Sequence, residues 1–110
     1  MNAKEYVQQI EKLDSLIKNK TFEIERAKEI GIDVSGIHNA KKQLINTRQE
    51  IIDNIQKLSP DHYDVLHKTY VQGKRLYEVA GEMDISYSYA TKLHGWALQS
   101  LNRIINSANN

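Results

Sequence analysis

Residues 76–101 read LYEVAGEMDISYSYATKLHGWALQSL. Leu76, Val79, Ala80 and Met83 recur at helical spacing over about two turns, and Ala90, Leu93, Ala97 and Leu101 mark one stripe of a longer helix. Between them lies the tight connector Asp84-Ile85-Ser86, with Ser86 placed to cap the second helix. Two short helices joined so briefly can cross steeply only if a residue at the crossing is small, and Ala80 supplies it. Ile85 plugs the gap under the turn, while Ala90 and Leu93 anchor the second helix from below. The stretch therefore has the spacing of a helix-turn-helix, leaving the N-terminal outer face of its second helix free. Asp84 stands where such turns often carry Gly, a mild departure because Asp tolerates left-handed backbone better than most residues.

Working outward, Ser59 is placed to cap a helix that begins at Pro60, carries Tyr63, Leu66 and Tyr70 on one face and ends at Gly73. Leu98, Ile104 and Ile105 extend the last helix, and residues 107–110 form a polar tail. Before Ser59 the pattern changes to two long stripes. Tyr6, Ile10, Leu13, Ile17, Ile24 and Ala27 follow a heptad-like seam, which Gly31 should stop near Ile30. Ile37, Ala40, Leu44, Ile51, Ile55 and Leu58 form the second, after a connector over Ile32 to Gly36 in which Asp33 or Ser35 can cap. So short a connector makes the two helices antiparallel neighbours. The fold expected is all-α: a long N-terminal antiparallel hairpin and oligomerisation region over 1–58, then a three-helix helix-turn-helix head over 59–106. A second copy pairing through Ile10, Leu13, Ile17, Ile24, Leu44, Ile51 and Ile55 would cover the stripes in a four-helix bundle. Folding back onto the head is the competing way to cover them.

Composition bounds the function. The chain has 110 residues, with fifteen Lys and Arg against fourteen Asp and Glu, so no global polycation is present. One Pro and five Gly permit long helices, and the absence of Cys excludes disulfide scaffolds, thiolate zinc sites and cysteine nucleophiles. No apolar run approaches the roughly 20 residues of a membrane span, and the start does not resemble a secretory signal, so a cytoplasmic protein is expected. His38, His62, His67 and His94 lack metal-ligand spacing, and there is no Gly-rich phosphate loop or nucleophile elbow. Neither an enzyme nor a cofactor is expected.

The layout of a first helix over 60–71, then QGK, then the motif, then ALQSL resembles region 4 of bacterial σ70-type factors. More closely, residues 58–101 look like the σ-region-4-like transcriptional regulators of the ArpU and RinA type, found in phages and integrative elements, and the opening MNAKEYVQQIEKLDSLIKNK is similar to the start of such proteins. The resemblance implies a DNA-binding regulator of mobile-element genes, an activator, nucleoid-associated when bound to double-stranded DNA. It puts base contacts on Tyr87, Ser88, Thr91 and Lys92, and helical spacing agrees by placing them off the Ala90–Leu93 stripe. Lys92 can donate to guanine O6 and N7, and the hydroxyls of Ser88 and Thr91 reach base edges or phosphate. Lys68, Lys74, Arg75, Tyr89 and His94 are the candidate DNA-backbone contacts. Tyr89 can instead pack on helix 60–71, and Trp96, where that family tends to place a basic residue, is expected to pack against that helix or the hairpin.

Residues 58–110 carry five basic and five acidic side chains, but no acid follows Asp84. A neutral head with about four phosphate contacts binds DNA weakly as a monomer and loses affinity with salt at about −0.9 per contact. A hairpin that makes a homodimer would double those contacts and select paired half-sites. Two other readings use the same elements. A σ-like or anti-σ-like module would grip RNA polymerase through its outer faces, and a small terminase subunit would join a helix-turn-helix to oligomerising helices for DNA packaging.

Overall fold

In the computed structural model, residues 1–107 are described; of the expected tail, 108–110 lie outside them. The chain is all-helical, with α1 Ala3–Glu29, α2 Ser35–Ile55, α3 Pro60–Leu66, α4 Leu76–Glu82 and α5 Tyr87–Ser107. The long N-terminal pair is an antiparallel hairpin followed by the three-helix head.

Local chemistry sets the boundaries. Asn2 caps α1 by accepting a 2.8 Å hydrogen bond from the Glu5 N–H. Gly31, at φ +76°, takes the left-handed conformation just past the end of α1, and Ile32 N–H returns to the Ala27 carbonyl. The next helix starts earlier than the sequence implied and includes Gly36. Asp33 explains the start, since its carboxylate accepts from both the N–H and the hydroxyl of Ser35. At the second junction Ser59 sits in the capping position without capping. Its hydroxyl donates instead to the Asp61 carboxylate, which is thereby held below its ordinary pKa, and Pro60 begins α3.

The end of the first head helix departs from regular α geometry. Residues His67–Val71 widen into a π-helical turn, closed by Gly73 at φ +71°. Thr69 sits in that turn with its hydroxyl donating to the Val65 carbonyl, which competes with the regular backbone ladder.

The hairpin and head share one core. Val7, Ile10, Leu13, Ile51 and Ile55 from the root of the hairpin pack with Val65, Leu66, Val79, Leu93, Ala97 and Leu101, and Asn102 on α5 accepts from the Ala3 N–H at the start of α1. Ile10, Leu13, Ile51 and Ile55 are thus covered by the chain's own head, the competing arrangement left open by the sequence. Beyond the root, α1 and α2 cover only one another. Ile24 is buried in their seam and Ile17 and Leu44 are half-buried, while Phe22, Ile30, Ile32 and Ile45 are exposed. This projection explains a radius of gyration of 16.9 Å, against about 13 Å for a compact chain of this length.

Candidate nucleic-acid interface

The turn between α4 and α5 forms as the sequence implies, with Asp84 as its pivot. Asp84 has φ +57°, the only positive φ at a non-glycine among the described residues. Its N–H donates to the Gly81 carbonyl and Ile85 N–H donates to Ala80, so α4 closes in a Schellman motif with Asp in the glycine position. Ser86 then caps α5, its hydroxyl oxygen accepting from Tyr89 N–H at 3.0 Å. Ala80, Ala90 and Leu93 are buried and Ile85 packs half-buried against the core. The inner anchors fix how far α5 is rotated, and with it which side chains face outward.

Tyr87, Ser88, Thr91 and Lys92 are all exposed on the first turns of α5. The hairpin packs elsewhere on the head, so these four form an open ridge. Thr91 is partly committed, because its hydroxyl donates to the Tyr87 carbonyl and leaves a methyl group and lone pairs facing out. Ser88 has no side-chain hydrogen bond and Lys92 no ion pair among the described residues. The ridge thus offers an ammonium donor, a free hydroxyl and an acceptor-plus-methyl within one helical turn, a set suited to base edges in a major groove.

The flanking candidates are distributed differently. Lys68 in the π-turn and Lys74 in the following loop both ion-pair with Glu82 at the end of α4, Lys68 at 3.2 Å. Their hydrogen bonds hold the Glu82 carboxyl below its ordinary pKa. Two cations on one acid leave a net positive cluster, and the triad pins the loop that leads into α4. Arg75 is exposed and unpaired among the described residues. His94 is half-buried, unlike the exposed ridge. Its ring stacks on Tyr70 with centroids 5.7 Å apart, and His94 Nε2 and Tyr70 Oη share a 2.8 Å hydrogen bond. Burial pushes His94 below its ordinary pKa and Tyr70 above its own, so His94 belongs to the seam between the π-helical turn and α5.

Two aromatic side chains add a feature the sequence reading did not include. Tyr89 and Trp96 are each only partly covered, and each has the other as a neighbour. The two rings meet edge to face, 6.1 Å apart, and remain 43% and 45% exposed. The sequence carried a signal for this: Tyr89, Lys92, Trp96, Gln99 and Arg103 follow the 3-4-3-4 spacing of a single helical stripe, away from the Ala90–Leu101 core stripe.

The chain is similar to a σ factor. Over 88 residues it is 28% identical to the RNA polymerase sigma factor TcsR of Paraclostridium sordellii, a match that takes in 80% of this chain and 51% of the relative. The chain therefore spans about half the length of the curated relative it matches. No protein-family model matches it, and no solved structure is found similar to it. The likeness is to a σ-type regulator of transcription and does not single out the ArpU and RinA type. Among the described residues no group of three or more His, Asp or Glu could hold a metal ion, and no helix is long and apolar enough to cross a membrane.

Proposed function

We propose that this chain is a non-enzymatic, DNA-binding regulator of transcription that reads duplex DNA through the N-terminal ridge of α5. The observation that carries the reading is the uncovered ridge of Ser88, Thr91 and Lys92 above the buried Ala90 and Leu93. In this reading Lys92 donates to guanine, Ser88 and Thr91 meet base edges, and Tyr87 touches a thymine methyl or a phosphate. Arg75 and Tyr89 hold the DNA backbone, and Lys68 and Lys74 turn to phosphates when a duplex displaces them from Glu82. The targets are genes of a phage or integrative element, as in the ArpU and RinA type that the sequence resembles, and the effect is activation. Homodimerisation through the uncovered outer half of the hairpin, where Phe22 and Ile45 are exposed, would pair two such heads.

The test is selection of bound duplexes from a random pool at low salt, followed by mobility shifts on the selected sequence. Lys92→Ala is expected to weaken the selected site by about 1–3 kcal/mol and to relax preference at one base pair. Lys74→Ala should weaken all sequences alike. Inverted repeats among the selected sites would support the dimer. Absence of any preference, with binding unchanged in Lys92→Ala, would overturn duplex reading.

A second reading draws support from the likeness to a σ factor. Here the same head grips RNA polymerase, and protein contacts dominate over DNA. Co-purification with polymerase from nuclease-treated extract, at full yield in Lys92→Ala, would favour it.

A further inference from the structure

The stripe along α5 is only partly absorbed by duplex reading. It starts beside the ridge at Tyr89, shares Lys92 with it and runs through Trp96 and Gln99 to Arg103, all exposed. At 1.5 Å per residue the stripe is about 21 Å long. A recognition helix enters a groove roughly 8.5 Å deep by its N-terminus. The Trp96–Arg103 half therefore stands clear of any duplex held at Ser88 and Thr91.

Three features define what this half would bind. Two large aromatic rings lie nearly half-exposed and edge to face, which leaves aromatic surface open to a flat partner. Neither Lys92 nor Arg103 has an ion-pair partner among the described residues, whereas Lys68 and Lys74 are both engaged. No acid occurs between Ile85 and the end of α5. Lys4, also unpaired, lines a shallow hollow together with Gln99 and adds a cation along the edge of the stripe.

We infer that the Tyr89–Trp96–Arg103 stripe is a binding track for single-stranded nucleic acid. The chemistry needed is a polyanion with open π faces. Duplex DNA offers the charge but hides its bases. A second copy of the stripe offers rings but no acid, so pairing two copies would gather four cations without a counter-charge. An unpaired strand satisfies both requirements, with bases stacked on Trp96 and Tyr89 and phosphates on Lys92, Arg103 and Lys4. The inference does not depend on duplex recognition at Ser88 and Thr91.

Trp96 is the single tryptophan of the chain and reports directly on the stripe. The full chain is titrated with an oligothymidine strand and, separately, with a blunt duplex of equal length. The expected result is saturable quenching of Trp96 fluorescence by the strand, at lower concentration than by the duplex. With a fluorescently labelled strand followed by anisotropy, Trp96→Ala should bind roughly ten- to a hundredfold more weakly, and Trp96→Phe should recover much of the loss. Arg103→Ala should reduce the salt slope by about 0.7. Ser88→Ala and Thr91→Ala should leave strand binding unchanged while impairing the selected duplex, which separates failure of one reading from failure of the other. Far-UV circular dichroism checks that each variant is folded. The inference is overturned if Trp96→Ala binds the strand as well as the parent, if only the duplex quenches, or if the emission responds to protein concentration or to polymerase but to no single strand.

Discussion

The root and the tip of the hairpin are built from the same two apolar stripes and reach different ends. Ile10 and Ile55 at the root are completely buried, whereas Ile45, lying farther out on α2, is 43% exposed. The side chains do not differ in kind. What differs is the surroundings: at the root α3 and α5 close over the hairpin, and toward the tip each helix has only the other. One helix can cover only part of its neighbour's apolar face, so an apolar band wide enough for two neighbours stays open where only one is present. A stripe shows which residues point at a neighbour, and the rest of the fold decides whether that neighbour exists.

The sharpest way to break this comparison is to truncate the same residue type at both ends. Ile55→Ala should cost about 2–5 kcal/mol in urea unfolding, since it opens a cavity in the shared core. Ile45→Ala should cost about 0.5 kcal/mol or less in dilute solution, because its side chain is already in water. Equal costs would mean that the tip is covered in solution. An Ile45→Ala cost that grows with protein concentration would assign the cover to a second copy.

Two serines repeat the contrast at smaller scale. Ser59 and Ser86 read alike in sequence, each just ahead of a helix in the head. Only Ser86 accepts a hydrogen bond on its hydroxyl from the helix it precedes, because Asp61 diverts the hydroxyl of Ser59. Ser86→Ala should destabilise by about 1 kcal/mol. Ser59→Ala should be close to neutral, and thermal unfolding of the pair measures the difference. Comparable losses would show that capping at Ser86 adds nothing to the turn.

The parts legible in the sequence are those governed by local periodicity and local caps. The helix-turn-helix was readable because Ala80, Ile85, Ala90 and Leu93 each answer a steric demand of one short crossing, and Gly31 and Gly73 mark real left-handed positions. The all-helical architecture followed from the same spacing. What was not legible depends on contacts distant in sequence. His94 falls close enough to the exposed ridge to pass for a phosphate contact, and only the π-turn brings Tyr70 against it. Trp96 was expected to pack partly on the first head helix or the hairpin, and the meeting of its ring with Tyr89, at 45% exposure, was not foreseen. Its neighbours on the helix face include Lys92 and Arg103, so the stripe itself argued for the outside.

Acid titration gives the smallest and most local effect, and it probes the seam between the π-helical turn and α5. Burial lowers the pKa of His94 from 6.5, and of His67 likewise, so the folded chain prefers both neutral. Above pH 6.5 both states are neutral at these sites and stability does not change on their account. As the pH falls through 6.5, the unfolded chain takes up protons that the folded chain resists, and stability declines until the folded pKa is passed. His94→Gln keeps a hydrogen-bonding group beside Tyr70 and removes the titration. The drop in melting temperature between about pH 7.5 and about pH 5.5 should therefore be smaller in the variant than in the parent, with His67 supplying what remains. Identical drops in the two proteins would show that His94 opens to solvent at no cost, and that the seam is looser than the buried root beneath it.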